Sequence, residues 1–312
     1  MNNDFTAYLQ SINHSTTTQK AYTRNVNLFL SWYGKEVINC TKKEVLKYLE
    51  YLQTQKQQDN ITRRNSLIAI NHYFAFLVKN EQVTSNPTAL IKIRGTHKQQ
   101  LYRTYTAEEL QTIYDNFYTV YVQNYDDSHM PKNQRTQCFL SRQRNFIMLG
   151  FLINQGLATN ELQKLHITDI DLNKGTITIT GGKKSNERKL PLHPAQTGAL
   201  IHYINNIRPQ FFTYCNESDK LFFTLPESSK QKTATINLMH VFKPLTKQVK
   251  ALDATFLNFK QVRASVITTW LKTQGLRKAQ YLAGHKYIST TERYLPNEIT
   301  GLIDDISKFN PF

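Results

Sequence analysis

Apolar side chains recur at helical spacing through most of this chain and give way to strict alternation in one stretch. After Ser15 and three threonines that suit a helix start, Tyr22, Val26, Phe29, Leu30 and Tyr33 share one face until Gly34. Thr41 and Glu44 have capping-box spacing, and Val45, Leu46, Leu49 and Leu52 follow with helical period. A third helix is expected from about Thr62, with Leu67, Ile70, Tyr73, Phe74 and Leu77 inward, and Asn86-Pro87 closes the bundle. Residues 91–100 are basic and carry no apolar period, as an interdomain linker does.

Thr106 and Glu109 repeat the capping-box spacing and open a second domain. Residues 124–141 are polar and read as a loop insertion, whereas 144–154 are apolar and helical up to Gly156. Three segments, 167–172, 176–180 and 189–192, are rich in β-branched and alternating residues, with glycine-bearing turns at Gly175 and at Gly181-Gly182. They predict a small antiparallel sheet. Helical patterns return from Pro194 through Trp270 to the end. Ile299, Leu302, Ile303 and Ile306 form one stripe on a tail helix at 298–308, fit to fold on its own core or to dock on a neighbour. The chain is therefore mainly α with a small antiparallel β-sheet. Its parts are a helical domain at 1–90, a linker at 91–105 and a mixed α+β domain at 106–312.

Charge narrows the partners. The 312 residues carry 39 Lys and Arg against 23 Asp and Glu, a net charge of +16 that favours a polyanion, most often nucleic acid. Cys40, Cys138 and Cys215 are isolated, which argues against structural zinc and a disulfide framework and suits a reducing cytoplasm. The N-terminus is not that of a secretion signal, and no apolar run approaches membrane-spanning length, so a soluble cytoplasmic protein without membrane contact is expected.

The candidate chemistry lies near the C-terminus. His285 follows Gly284, Tyr294 lies nine residues beyond it, and Lys260 and Arg263 stand about twenty residues upstream on an amphipathic helix. A basic pair, a histidine and a late tyrosine suggest a phenolic oxygen attacking a phosphodiester while cations neutralise the phosphate. Each residue also has a plain reading. Tyr294 is one of 17 tyrosines, Lys260 and Arg263 fit a solvated helix face, and His285 fits a helix cap.

The ordering resembles the tyrosine recombinase/integrase family of Xer and phage-integrase type, over nearly the whole chain. The match is strongest from Gly284-His285 through Thr290-Thr291 to Tyr294. The resemblance implies a helical SAM-like core-binding domain joined to a tyrosine-recombinase catalytic domain. It implies that Tyr294 is the nucleophile, forming a 3′-phosphotyrosyl link with a free 5′-hydroxyl, with neither cofactor nor metal. Arg263 matches the family's second arginine, a planar fork suited to phosphate oxygens. Lys260 occupies a position that commonly holds histidine and sometimes lysine. His285 matches a donor to the scissile phosphate. Lys183, in the turn 181–188, matches the lysine that protonates the departing 5′-oxygen, with Lys184 the alternative one register away. Glu161 matches a supporting acid.

One position departs from the family. Where its Gly-Leu-Arg-x-x-Glu-Leu stretch supplies a first catalytic arginine, this chain reads Gly156-Leu157-Ala158-Thr159-Asn160-Glu161-Leu162. Losing one preorganised donor to a developing oxyanion typically costs roughly 10²–10³ in rate. Three readings follow: an engineered change that traps a DNA complex, a natural residue compensated by another cation such as Arg142, Arg144 or Lys164, or a relative that binds DNA without strand transfer. A type IB topoisomerase is a further alternative. Double-stranded DNA is the expected partner, with a homo-oligomer, dimer to tetramer, on it. Arg24, Lys42, Lys43, Arg63 and Arg64 in the first domain, Arg94, Lys98 and Arg103 in the linker, and Lys184 are candidate backbone contacts.

Overall fold

The computed structural model describes residues 2–95, 102–183, 185–226 and 238–295, so Lys98, Lys184 and the tail helix expected at 298–308 lie outside the described residues. The chain divides into two compact units, Met1–Gln100 and Leu101–Phe312. Among the described residues no helix is long and apolar enough to cross a membrane.

The first unit is a helical bundle of α1 (Asn2–Ser11), α2 (Thr16–Tyr33), α3 (Lys42–Thr54) and α4 (Asn60–Lys79). The first helix was not expected from the pattern, since only Phe5 and Leu9 mark its face; both are buried in the bundle. The starts are capped as the residue types predict. Ser15 Oγ accepts from the Thr18 amide, Asp59 Oδ1 from that of Thr62, and the Glu44 carboxylate from that of Thr41 at 2.8 Å. The core is aromatic, with the Phe29 ring edge-on to Tyr48 and to Phe74. Leu46, expected inside, is exposed, because α3 buries the narrower stripe of Val45, Tyr48, Leu49 and Leu52. Ile91 and Ile93, in the expected linker, pack against this same core.

The second unit opens with α5 (Ala107–Tyr118), whose Thr106–Glu109 capping box is reciprocal: Thr106 N–H donates to Glu109 Oε2 at 2.8 Å, and Glu109 N–H to Thr106 Oγ1 at 3.2 Å. Helix α6 runs Lys132–Asn154, so part of the expected 124–141 loop is helical. Residues 134–139 bury no side chain fully, which is why they carry no apolar period. After the single turn α7 (Thr159–Leu162) come β1 (Ile170–Asp171), β2 (Thr176–Ile179) and β3 (Arg188–Pro191), antiparallel in that order. The register sets Ile177 opposite Leu190 and Ile179 opposite Arg188, all four on the buried face. Helices α8 (Pro194–His202), α9 (Met239–Leu252), α10 (Phe259–Ala283) and α11 (Ile288–Glu292) complete the unit. The described residues thus form a mostly helical molecule with one three-stranded antiparallel sheet.

Helix α10 is broken inside. Gly275 has φ 77° and ψ 168°, a conformation essentially confined to glycine. The two halves pack back on one another through Ile267, Leu271, Ala279 and Ala283.

Candidate active site

The site forms around one buried carboxylate. Glu161 sits in the single turn of α7 and receives four donors. The Arg188 fork grips both its oxygens, Nη1 to Oε1 at 2.8 Å and Nη2 to Oε2 at 3.1 Å. Arg263 Nη1 reaches Oε2 at 3.2 Å, and the Ala158 amide donates to the same oxygen at 2.8 Å. Burial alone would raise the Glu161 pKa. The Arg188 hydrogen bonds and the charges of Arg263 and Arg188 outweigh it and hold the carboxyl below its usual value.

Arg263 lies in the first turns of α10, where the Asn258 side chain caps the helix by accepting from the Lys260 amide at 2.9 Å. Its guanidinium donates to Gly156 O at 2.5 Å and Ala283 O at 2.8 Å, tying both halves of α10 to the turn before α7. Burial and the neighbouring Arg188 charge lower its pKa, while Glu161 and the Tyr294 hydroxyl act in the opposite sense. The Tyr294 oxygen therefore faces the guanidinium.

Helix α10 ends at Gly284 in the left-handed region, φ 69°. A Cβ at that position would collide with the Arg188 guanidinium. His285 follows, buried, with Nδ1 3.0 Å from Thr291 Oγ1. Its ring stacks on Tyr294 with centroids 5.8 Å apart and planes at 13°. Burial, followed by the charges of Arg263 and Arg188, pulls its pKa down to about 4, so the imidazole is neutral at pH 7. Tyr294 is half-buried, with its ring against the small apolar cluster that joins the halves of α10.

The β2–β3 hairpin turn closes one side. Asn186 N–H donates to Gly284 O at 2.9 Å, and Ser185 bridges to His285. Lys183 is exposed in this turn, and the Lys164 ammonium lies close to Gly182 beside it. Lys260 is exposed three residues before Arg263.

The structure thus brings Glu161, Arg263, His285 and Tyr294 together and adds Arg188, which the sequence reading passed over. One signal was available: Arg188 shares strand parity with the buried Leu190, so it had to point inward and needed an anion. Of the cations offered as compensation for Ala158, two are elsewhere. Arg144 is buried on Phe223 O and Asn145 Oδ1, and Arg142 is buried against the Tyr125 ring with Cys138.

Among the candidate backbone contacts, Arg24, Lys42, Lys43, Arg64 and Arg94 are exposed. Arg63 is half-buried and donates to Leu49 O and Asn60 Oδ1. Arg103 is paired with Glu109 at 2.6 Å and bonded to Thr255.

The sequence matches the phage integrase family over residues 103–299 and the phage integrase N-terminal SAM-like domain over residues 1–84. The chain belongs to the phage integrase family. Among its relatives, a tyrosine recombinase of Thermosipho africanus is 26% identical, with 93% of each chain covered. The tyrosine recombinase XerC of Bacillus pumilus is 25% identical, covering 93% of this chain and 89% of the relative. Two solved structures share the fold. XerH site-specific recombinase bound to palindromic difH substrate, a post-cleavage complex, has a TM-score of 0.68 at 19% identity, covering 97% of this chain and 84% of that one. A lambda integrase dimer bound to a COC′ core site has a TM-score of 0.61 at 14% identity, covering 95% and 76%.

Proposed function

We propose that this chain is a tyrosine-type site-specific recombinase that cuts and rejoins duplex DNA through Tyr294. The observation that carries the reading is the convergence of the Tyr294 hydroxyl, the Arg263 fork and the neutral His285 ring beside one buried carboxylate. The Tyr294 oxygen attacks phosphorus, its proton passes to solvent, and the bond from phosphorus to the 5′-oxygen breaks. Lys183 gives the leaving oxygen its proton, leaving a 3′-phosphotyrosyl link and a free 5′-hydroxyl. Attack by the 5′-hydroxyl of another strand reverses the step, so one ester replaces another without ATP.

Each neighbour has a part. A phenol of pKa about 10 gains from cations beside it, which favour the phenolate as it forms. Arg263, and Lys260 on the same helix turn, neutralise the non-bridging oxygens. In the tautomer whose Nδ1 accepts from Thr291, His285 carries its hydrogen on Nε2 and offers it to the phosphate. Glu161 orients Arg263. The net charge of +16 and the exposed cations on the first unit supply the grip on the DNA backbone, and paired sites call for a homo-oligomer, dimer to tetramer.

One observation favours a second reading, a DNA-binding relative without strand transfer: a methyl group stands at position 158 where the family carries an arginine. A suicide duplex, nicked so that religation is impossible, separates the two. A covalent protein–DNA adduct that disappears in Tyr294→Phe supports the recombinase. Absence of any adduct, even with Ala158→Arg, establishes the binder. Relaxation of supercoiled plasmid by a monomer, with no exchange between paired sites, would instead mark a topoisomerase.

A further inference from the structure

We infer that Arg188 is a positioning residue of this site: by cancelling the charge of Glu161 it leaves the charge of Arg263 uncompensated for the phosphate. This rests on the recombinase reading above. With alanine at 158, Glu161 and Arg263 without Arg188 would form a neutral pair, and the guanidinium facing Tyr294 would have its charge largely spent on the carboxylate 3.2 Å away. Arg188 restores one net positive charge to the cluster. Its fork takes both Glu161 oxygens, and its Nε donates to Leu282 O at 2.7 Å. The side chain is shut off from solvent, whereas that of Arg263 keeps 14% of its surface exposed. Arg188 therefore acts through Glu161 rather than by touching DNA.

Its placement reinforces the division of labour. The guanidinium lies under Gly284, where any side chain at that residue would displace it, so the turn carrying His285 rests directly on it. The same hairpin that ends in Arg188 carries Lys183 and holds Gly284 O through Asn186. One buried cation thus fixes the charge seen by Arg263 and seats the histidine turn.

The test is a charge-balance cycle on the full chain with a suicide duplex. Arg188→Gln should slow adduct formation on the order of 10²-fold, the scale of losing one preorganised charge at an oxyanion, with duplex affinity nearly unchanged. Adding Glu161→Gln to that variant removes the carboxylate as well, frees Arg263 again, and should recover the rate to within about tenfold of wild type. A rate for Arg188→Gln within about threefold of wild type, or a double variant no faster than the single one, overturns the inference; the second result would make Arg188 a packing element or a direct contact.

Should Arg188→Gln fail to fold, Arg188→Lys carries the test. It keeps the charge and is expected to lose less than about tenfold, whereas a loss equal to that of Arg263→Ala overturns the inference. If neither wild type nor Ala158→Arg forms an adduct, the recombinase reading fails and the His285 titration, followed by imidazole NMR, decides this inference separately. Its midpoint should rise in Arg188→Gln and fall back in the double variant; an unmoved midpoint overturns it.

Discussion

The two units of the chain differ in how many of their arginines are buried. In the first, Arg24, Lys42, Lys43, Arg64 and Arg94 stand in solvent. In the second, Arg144, Arg188 and Arg208 are buried and Arg263 nearly so, each with carbonyl or carboxylate oxygens on its guanidinium. An exposed cation attracts a polyanion at long range, is screened by salt, and is replaceable by its neighbours. A buried, bonded one is fixed before any ligand arrives, so it loses no freedom on binding and works at full strength in a dry site. The arginines proposed for grip and for chemistry thus differ in kind, and the second unit holds both, since Arg103, Arg277 and Arg293 are exposed there.

Substitutions should expose that contrast in order of size. Arg263→Ala is expected to cut adduct formation by roughly 10²–10³. The fold should persist, because Glu161 keeps Arg188 as its partner. Duplex affinity, read by fluorescence anisotropy, should fall far less than the rate.

His285 comes next, through pH. Its folded pKa, about 4, lies below the ordinary value of 6.5, so the unfolded chain binds a proton first as pH drops. The stability it contributes is fully present above pH 6.5 and is lost as pH falls from there toward 4. That loss is on the order of 3 kcal/mol, reduced by solvent screening at the partly open site. In urea melts wild type should lose stability relative to His285→Gln as pH falls from 6.5 toward 4, with a constant difference above pH 6.5; a difference unchanged across this window would refute the assignment.

The smallest effect belongs to the exposed cations. Arg64→Ala should weaken duplex binding by a few-fold, leave the adduct rate at saturating DNA unchanged, and lower the salt slope by about one. A large effect on rate from Arg64→Ala would break the proposed division of roles.

The same division explains what the sequence disclosed. The spacing from Gly284 to Tyr294, the two capping-box threonines and the alternating hairpin are local patterns, and the structure shows the elements they predict. Helix α1 and the first turns of α6 were missed because they bury too few apolar groups to leave a period. Arg188 was missed for another reason. Its partner Glu161 is 27 residues away, and pairing across that distance is a tertiary fact that only strand parity hinted at. At Ala158, where the resemblance implies an arginine, the backbone amide donates to Glu161 and holds it in place.

The break at Gly275 has a consequence for reach. Twenty residues of unbroken helix would set Arg263 and Ala283 about 30 Å apart, farther than any side chain extends. The elbow doubles the rod back until the guanidinium touches the Ala283 carbonyl at 2.8 Å. Straightening that elbow would leave every residue of the site intact and yet strand the Tyr294 oxygen, the proposed nucleophile, far from the guanidinium proposed to receive the phosphate.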